Sequence, residues 1–345
     1  MKPVALLLND IHISQSNIEQ FKLNWQEALT IAKDNQVSLI VIGGDTFKNT
    51  ASQPLNVLMT VWEAYRQACL LGFDLVVAEG NHDKVDRDSF VGYNHIFKAL
   101  GATDEHIFIV DDFEAFEISD DTVLYIMSYF YESGSFTDRY NTMITTLNPK
   151  MKNILYCHQG IKGGLTRPMD DELPTGIFDC FDSVLVGHYH DRKKIAGTNI
   201  EYIGASRQHD FGEDEEKGYT LLYSDGSTKF VKNQVNTRFS TINVDYDDVA
   251  SVKSQLGDKN TKYRVVISCS NEDVKTVDKQ KLLDAGVSKV VFDTESKAVE
   301  DNSPVVSNFD NKFDKTSISQ EYKQYCEKNG YDSKLGLEYI NNALQ

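Results

Sequence analysis

Through the first 235 residues, short apolar runs alternate with stretches whose apolar positions recur every three or four residues. The runs Val4–Leu8, Ser38–Gly43, Leu75–Ala78, Val123–Met127, Ile154–Cys157 and Val184–Val186 are strand-sized. Between the first two, Phe21, Trp25, Leu29 and Ala32 mark one face of an amphipathic helix, and Leu58, Trp62 and Tyr65 repeat the pattern within residues 54–70. Strand, helix, strand in this rhythm predicts a layered α/β sheet. After Asn199 the texture changes to IEYIGAS, GYTLLYS and STKFVKN, which predict a β-meander returning to close the sheet.

A boundary is expected near Arg238–Asp248. Beyond it, KYRVVISC, the helix-like DVKTVDKQKLLDAG and VSKVVFD predict a small β–α–β unit. An acidic segment with Ser and Asn follows at Val299–Asn311, and Ser317–Leu344 predicts two short helices meeting around Asn329–Gly330. Ile318, Tyr322, Tyr325, Leu335, Leu337, Ile340 and Leu344 give those helices an apolar stripe, suited to packing on the protein's own domain or to docking a partner. The expected organisation is a catalytic domain over 1–238, a small domain over 239–298, a linker over 299–316 and a helical tail over 317–345.

Composition narrows the class. Of the 345 residues, 41% are hydrophobic and 25% charged, ordinary values for a globular chain, which exclude wholesale disorder and collagen-like repeats. No apolar run approaches a membrane span, so no membrane association is expected. MKPVALLLNDIH reads as a first strand rather than a signal peptide, because Asp and His stand where a small-residue cleavage site would be. Five scattered cysteines, never in a CxxC pair, point to a reducing cytoplasm (the host's, if the protein is viral) and away from a thiolate metal knuckle. The formal charge is −17, and residues 1–250 carry nearly all of it, with 21 basic against 37 acidic side chains. That balance speaks against a nucleic-acid binder acting without help.

The histidines change the picture. Apolar runs lead directly into Asn9-Asp10-Ile11-His12, Gly43-Gly44-Asp45, Gly80-Asn81-His82-Asp83, Cys157-His158 and Gly187-His188-Tyr189-His190. In an open α/β sheet the carboxyl ends of parallel strands gather at one edge, where ligands bind. Taken singly, each residue has a plainer reading: Asp10 as a turn cap, His12 as a surface histidine, Gly43-Gly44 as a tight turn. Five such clusters at five strand ends predict a metal site instead. Asp10, Asp45 and Asn81 offer oxygen, and His12, His158, His188 and His190 offer imidazole, a mixture suited to Mn, Fe or Zn. Seven ligands are too many for one ion and enough for two, about 3.5–4 Å apart, clamping the attacking and leaving oxygens of a phosphate ester. Asp45, after its glycine pair, is the natural bridge. His82 is left to stabilise the transition state or protonate the leaving oxygen. Asp83 either orients His82 or caps a helix beginning at DKVDRDSF.

These motifs, taken in order, resemble the signature of the calcineurin-like metallophosphoesterases over roughly residues 1–235. The resemblance implies an α/β fold, a two-sheet αββα sandwich with a small β–α–β capping domain and a C-terminal helical tail. Within that superfamily, FDCFDSVLVGHYH and YIGASRQHDFGEDEEKGYTLL resemble SbcD-type exonuclease subunits, the meiotic-recombination-eleven-like nucleases, and the short chain is similar to bacteriophage recombination nuclease subunits. The resemblance implies one metal on Asp10, His12, Asp45 and His190, and a second on Asp45, Asn81, His158 and His188, with His82 catalytic. It implies two Mn²⁺ (Mg²⁺, Fe or Zn being possible), a homodimer, and an SMC-like ATPase partner of SbcC type bound through the C-terminal helices. The implied activity is exonuclease on DNA ends and endonuclease on single-stranded DNA. Lys48 departs from the pattern, since several relatives carry His or Asp there. A small-molecule phosphodiesterase or phosphatase of the same superfamily is the alternative, because a metal cluster alone does not choose a substrate.

Overall fold

The computed structural model describes residues 2–100, 106–167, 169–294, 322, 323, 326 and 332–343. The chain forms two units, Met1–Thr294 and Glu295–Gln345. The first unit begins with β1 (Pro3–Leu8), α1 (Ile18–Asp34), β2 (Leu39–Gly43), α2 (Leu55–Leu70), β3 (Asp74–Ala78), α3 (His95–Leu100) and β4 (Ile107–Val110). It continues with β5 (Phe113–Ser119), β6 (Thr122–Met127), α4 (Phe136–Ile144), β7 (Lys152–His158), β8 (Ser183–Gly187), β9 (Lys193–Lys194) and β10 (Ile200–Tyr202). It ends with β11 (Gly218–Tyr223), β12 (Thr228–Lys232), β13 (Arg238–Asp245), α5 (Val252–Gln255), β14 (Thr261–Ser268), α6 (Lys279–Asp284) and β15 (Val287–Asp293). In the second unit the described helix is Lys334–Ala343. The expected linker lies outside the described residues, as does most of the first tail helix. Among the described residues, no helix is long and apolar enough to cross a membrane.

Two six-stranded sheets, ordered β12-β11-β1-β2-β3-β4 and β5-β6-β7-β8-β10-β9, make the sandwich. Alternation along each strand explains the layers. Ala5 and Leu7, with Val41, Val76, Leu124, Ile126, Ile154 and Leu185, form the core between the sheets. Leu6 and Leu8 turn the other way and pack with Phe21, Trp25 and Leu29 of α1 and Val57, Val61 and Tyr65 of α2. On the opposite outer face, Tyr125, Leu155 and Val184 pack with Phe136, Tyr140 and Met143 of α4. Both faces of the central strands are covered, so their sequences read as continuous apolar runs.

Two expectations need correction. The predicted meander does not close one sheet. β10 pairs parallel with β8 in the second sheet, whereas β11 pairs antiparallel with β1 in the first. Residues 203–217 therefore cross between sheets. The small unit also has one strand more than β–α–β. β13 begins at the expected boundary and runs parallel to β14, which runs parallel to β15, over a separate apolar cluster that includes Ile242, Val265, Ile267 and Leu282.

Candidate metal centre

Parallel strands β1, β2 and β3 in one sheet and β7 and β8 in the other end at the same edge of the sandwich, and the five polar clusters follow them. The loops after β1 and β2 run side by side, with Asp10 N–H donating to Gly44 O at 3.1 Å and His12 N–H to Asp45 O at 3.0 Å. Asp10, His12, Asp45 and His188 have φ of 51°, 48°, 53° and 92°. This left-handed backbone is uncommon for residues other than glycine and recurs where function over-determines geometry. The glycine pair before Asp45 has two distinct steric causes. A Cβ on Gly43 would lie 2.1 Å from the Tyr156 ring, and Gly44, at φ 107°, would press one against His158 at 2.5 Å.

Asp45 sits at the middle. Its Oδ1 accepts the His82 N–H at 2.8 Å, and its Oδ2 lies 3.3 Å from His158 Nε2 and 3.5 Å from His12 Nε2. Asp10 Oδ2 accepts from the Asn9 amide and from the His188 N–H at 3.1 Å. Asp10 Oδ1 has no hydrogen-bond partner, and it lies 3.9 Å from the Nε2 atoms of His12, His158 and His190. His188 Nδ1 faces Asn81 Oδ1 at 2.9 Å, with Tyr129 stacked on the imidazole. All seven expected ligands are thus brought to one place. Asp10, His12 and His190 form one group of donors within 4.8 Å of each other, and Asp10, Asp45 and His158 form another.

The tautomers point to cations. His12 Nδ1 is 3.3 Å from Phe47 O, and His158 Nδ1 is 3.0 Å from Gly43 O, each a protonated nitrogen against a carbonyl. His190 Nδ1 is 2.6 Å from Glu213 Oε1. In the neutral rings, all three Nε2 lone pairs therefore converge on the carboxylates, and His12 and His190 Nε2 are only 3.1 Å apart. Lone pairs packed together repel unless a positive charge, from protons on His158 and His190 or from metal ions, lies among them. Buried His158 Nε2, like Asp10 Oδ1, has no aligned hydrogen-bond partner. Such orphaned donor atoms fit divalent ions.

Electrostatics without ions divides the histidines. Burial depresses His12 to about 4, and burial reinforced by the nearby His158 does the same to His188. Burial also opposes the charge on His158, but the Asp45 and Asp10 carboxylates overcome it and push the pKa up to about 9. His190 likewise rises to about 9 against burial, through its bond to Glu213 and the charge of Asp10. Asp45 stays well below the carboxylate range; burial would raise it, and the surrounding histidines, led by His158, outweigh that.

His82 is half-buried, and its Nδ1 bonds Lys48 O at 2.7 Å. Its ring centroid is 4.8 Å from that of His12. Asp83 has neither expected role. Its buried carboxylate accepts from the N–H groups of Thr46, Phe47 and Gly80 at 3.2, 2.8 and 2.8 Å, tying two ligand loops together, and no α-helix begins there. Sequence reasoning missed His209 and Glu213. His209 Nε2 bonds Asp10 O at 2.7 Å, its backbone N–H donates to Glu213 Oε2 at 3.0 Å, and both form a donor group with His190. A histidine and an acid following strand β10 repeat the pattern of the other clusters, and that was the available signal.

This αββα sandwich with a donor cluster at its strand ends defines a metal-dependent phosphoesterase. The family model for calcineurin-like phosphoesterases matches residues 4–192, and the chain belongs to that family. Among solved structures, it is similar to protein TT1561 of Thermus thermophilus at 10% identity and a TM-score of 0.42, covering 67% of this chain and 99% of that one. A dimetal phosphatase from Danio rerio is 11% identical with a TM-score of 0.36, covering 59% and 87%. The nuclease MPE of Pseudomonas putida is 13% identical with a TM-score of 0.27, covering 64% and 84%.

Proposed function

We propose that the protein is a two-metal DNA phosphodiesterase. In this reading it is the SbcD-type nuclease subunit of a recombination and repair complex, working as a homodimer with an SMC-like ATPase docked on its C-terminal helices. The observation that carries the hydrolytic part is the convergence of donor atoms from Asp10, His12, Asp45, His158 and His190, among which Asp10 Oδ1 and His158 Nε2 have no hydrogen-bond partner among the described residues. Asp10, His12, Asp45 and His190 would hold one ion, and Asp45, Asn81, His158 and His188 would hold the other, with Mn²⁺ the expected metal. Two such ions supply Lewis-acid polarisation of a phosphate and an activated water.

The chain's own groups do the rest. His82 Nδ1–H donates to Lys48 O, which fixes the ring, so Nε2 is the nitrogen presented to the leaving oxygen. Asp45 holds the His82 backbone through its N–H, which links the central carboxylate to the acid's position. Glu213 fixes the His190 ring, and Gly43 O fixes that of His158.

The deciding assay offers end-labelled linear and circular single-stranded DNA with Mn²⁺. Nucleotide release from linear DNA is expected, abolished by a chelator and lowered by roughly 10²–10⁴-fold in His82→Asn with metal content unchanged. Metal-dependent hydrolysis of a small chromogenic diester, with every DNA left intact even beside candidate ATPases, would instead establish the small-molecule alternative.

A further inference from the structure

We propose that the cleft between the first turn of α1, the loop after β2 and the small sheet is a phosphate subsite that holds the DNA strand flanking the scissile bond. The inference rests on the nuclease reading above. A cavity of about 780 Å³ lies there, of the size that takes a nucleotide-scale ligand. Its lining includes Lys48, Arg207 and Lys262 against a single acid, Glu19, whose carboxylate is already paired with Lys22 at 2.9 Å. A cationic cleft is unexpected in a chain of formal charge −17.

Two further features point to an anion. Arg207 is only 4% exposed, its Nη2 donates to Ile11 O at 2.9 Å, and its buried Nε–H has no acceptor among the described residues. A guanidinium held this way retains donor capacity and full charge. The cleft is also lined by Ile18, Glu19 and Gln20, the opening residues of the 17-residue helix α1, whose dipole favours negative charge at that end.

The cleft meets the metal centre at two points. His209 lines it and bonds Asp10 O at 2.7 Å, and Lys48 lines it and bonds His82 through its carbonyl at 2.7 Å. A second cavity, of about 510 Å³, is lined by His188 and His190, with Asp191, Asp210 and Glu213 in its wall; Asp191 pairs with Lys217 and Glu213 with His190, each at 2.6 Å. The lysine there, Lys193, already donates to Gly164 O at 3.0 Å. Three cationic side chains against one paired acid favour a polyanionic strand in the first cavity, which assigns the strand's remaining phosphates to the Lys48 side of the scissile bond.

The test measures binding of a fluorescent single-stranded oligonucleotide to the full chain, by anisotropy across a salt series, in the cleavage-impaired His82→Asn background. Adding Lys48→Ala and Lys262→Ala is expected to raise Kd about tenfold and to reduce the slope of log Kd against log salt by about 1.4, or ~0.7 for each phosphate that a lysine no longer neutralises. A control removing Lys33 and Lys150, at exposed positions away from the cleft lining, makes the same change in net charge and is expected to leave Kd within about twofold. In the otherwise unaltered enzyme the cleft pair raises KM for the oligonucleotide more than it lowers kcat. If the cleft pair binds DNA like its parent, or no more weakly than the control, the subsite is wrong while the nuclease reading stands. If the unaltered enzyme neither binds nor cuts DNA, even beside candidate ATPases, both fall together.

Discussion

Asp10, His12 and Asp45 hold their donors on backbone that L-residues avoid, at a cost of about 1–2 kcal/mol each. Hydrogen bonds between the neighbouring loops maintain that geometry, and it is what lets three side chains from two strands meet. Charge at the same residues predicts a measurable proton balance. His158 and His190, both pushed up to about 9, keep their protons at neutral pH when no ion is present, whereas ions require bare Nε2 atoms. Loading Mn²⁺ at pH 7.5 should therefore release about two protons per chain, read by calorimetry in buffers of differing ionisation enthalpy. Glu213→Gln keeps an acceptor for His190 Nδ1 but removes its charge. Release should then fall to about one proton, and one ion should bind roughly tenfold more weakly; unchanged release would show that Glu213 does not act on His190 in this way. In the metal-free chain, the two raised values stabilise fully below 6.5, and that contribution is lost as pH rises through about 9. The two values depressed to about 4 work in the opposite direction, so stability falls as pH drops from 6.5 towards 4. The melting temperature of metal-free protein should accordingly peak near pH 6.5.

Between elements, Asp83 joins what the strands only bring near. Three backbone N–H groups from the loops after β2 and β3 depend on its carboxylate. Asp83→Ala leaves them buried without acceptors and should cost about 3 kcal/mol or more. We expect a lower melting temperature together with weaker binding of both ions, and a variant that melts like the parent would show that water replaces the carboxylate. The segment after β10 makes a comparable connection. The side chain of Gln208 accepts the Phe239 N–H and donates to the Phe239 carbonyl, so β13 is fastened to the loop that carries His209 and Glu213. Arg264 of β14 donates to Phe211 O at 3.0 Å from the same side. None of this is visible in periodicity. IEYIGAS and GYTLLYS look alike as strands, and which sheet each joins depends on partners far away in the chain. The β1–β3 and β7–β8 clusters were legible because each follows its own apolar run without interruption.

At the scale of the molecule, the acidity that speaks against unaided DNA binding is unevenly presented. Asp10 and Asp45 face the donor cluster, where divalent ions would offset them. The cationic residues Lys48, Arg207 and Lys262 come together from three distant parts of the chain. Partner docking and hydrolysis should separate in a truncated chain. Removing residues 317–345 should abolish co-purification with an SMC-like ATPase while hydrolysis of a chromogenic diester persists. Retained association would place the docking surface elsewhere. The sequence by itself determined the layered α/β class and which oxygen and imidazole donors stand directly after the strands. A strand covered on both faces must be apolar, and a donor must follow it directly to reach the sheet edge. Only the tertiary structure decided that Asp83 braces the loops, that Glu213 and His209 stand behind His190 and Asp10, and that a basic cleft opens beside an acidic pocket. Those contacts join residues as far as 199 positions apart, and no local pattern encodes a pairing over that distance.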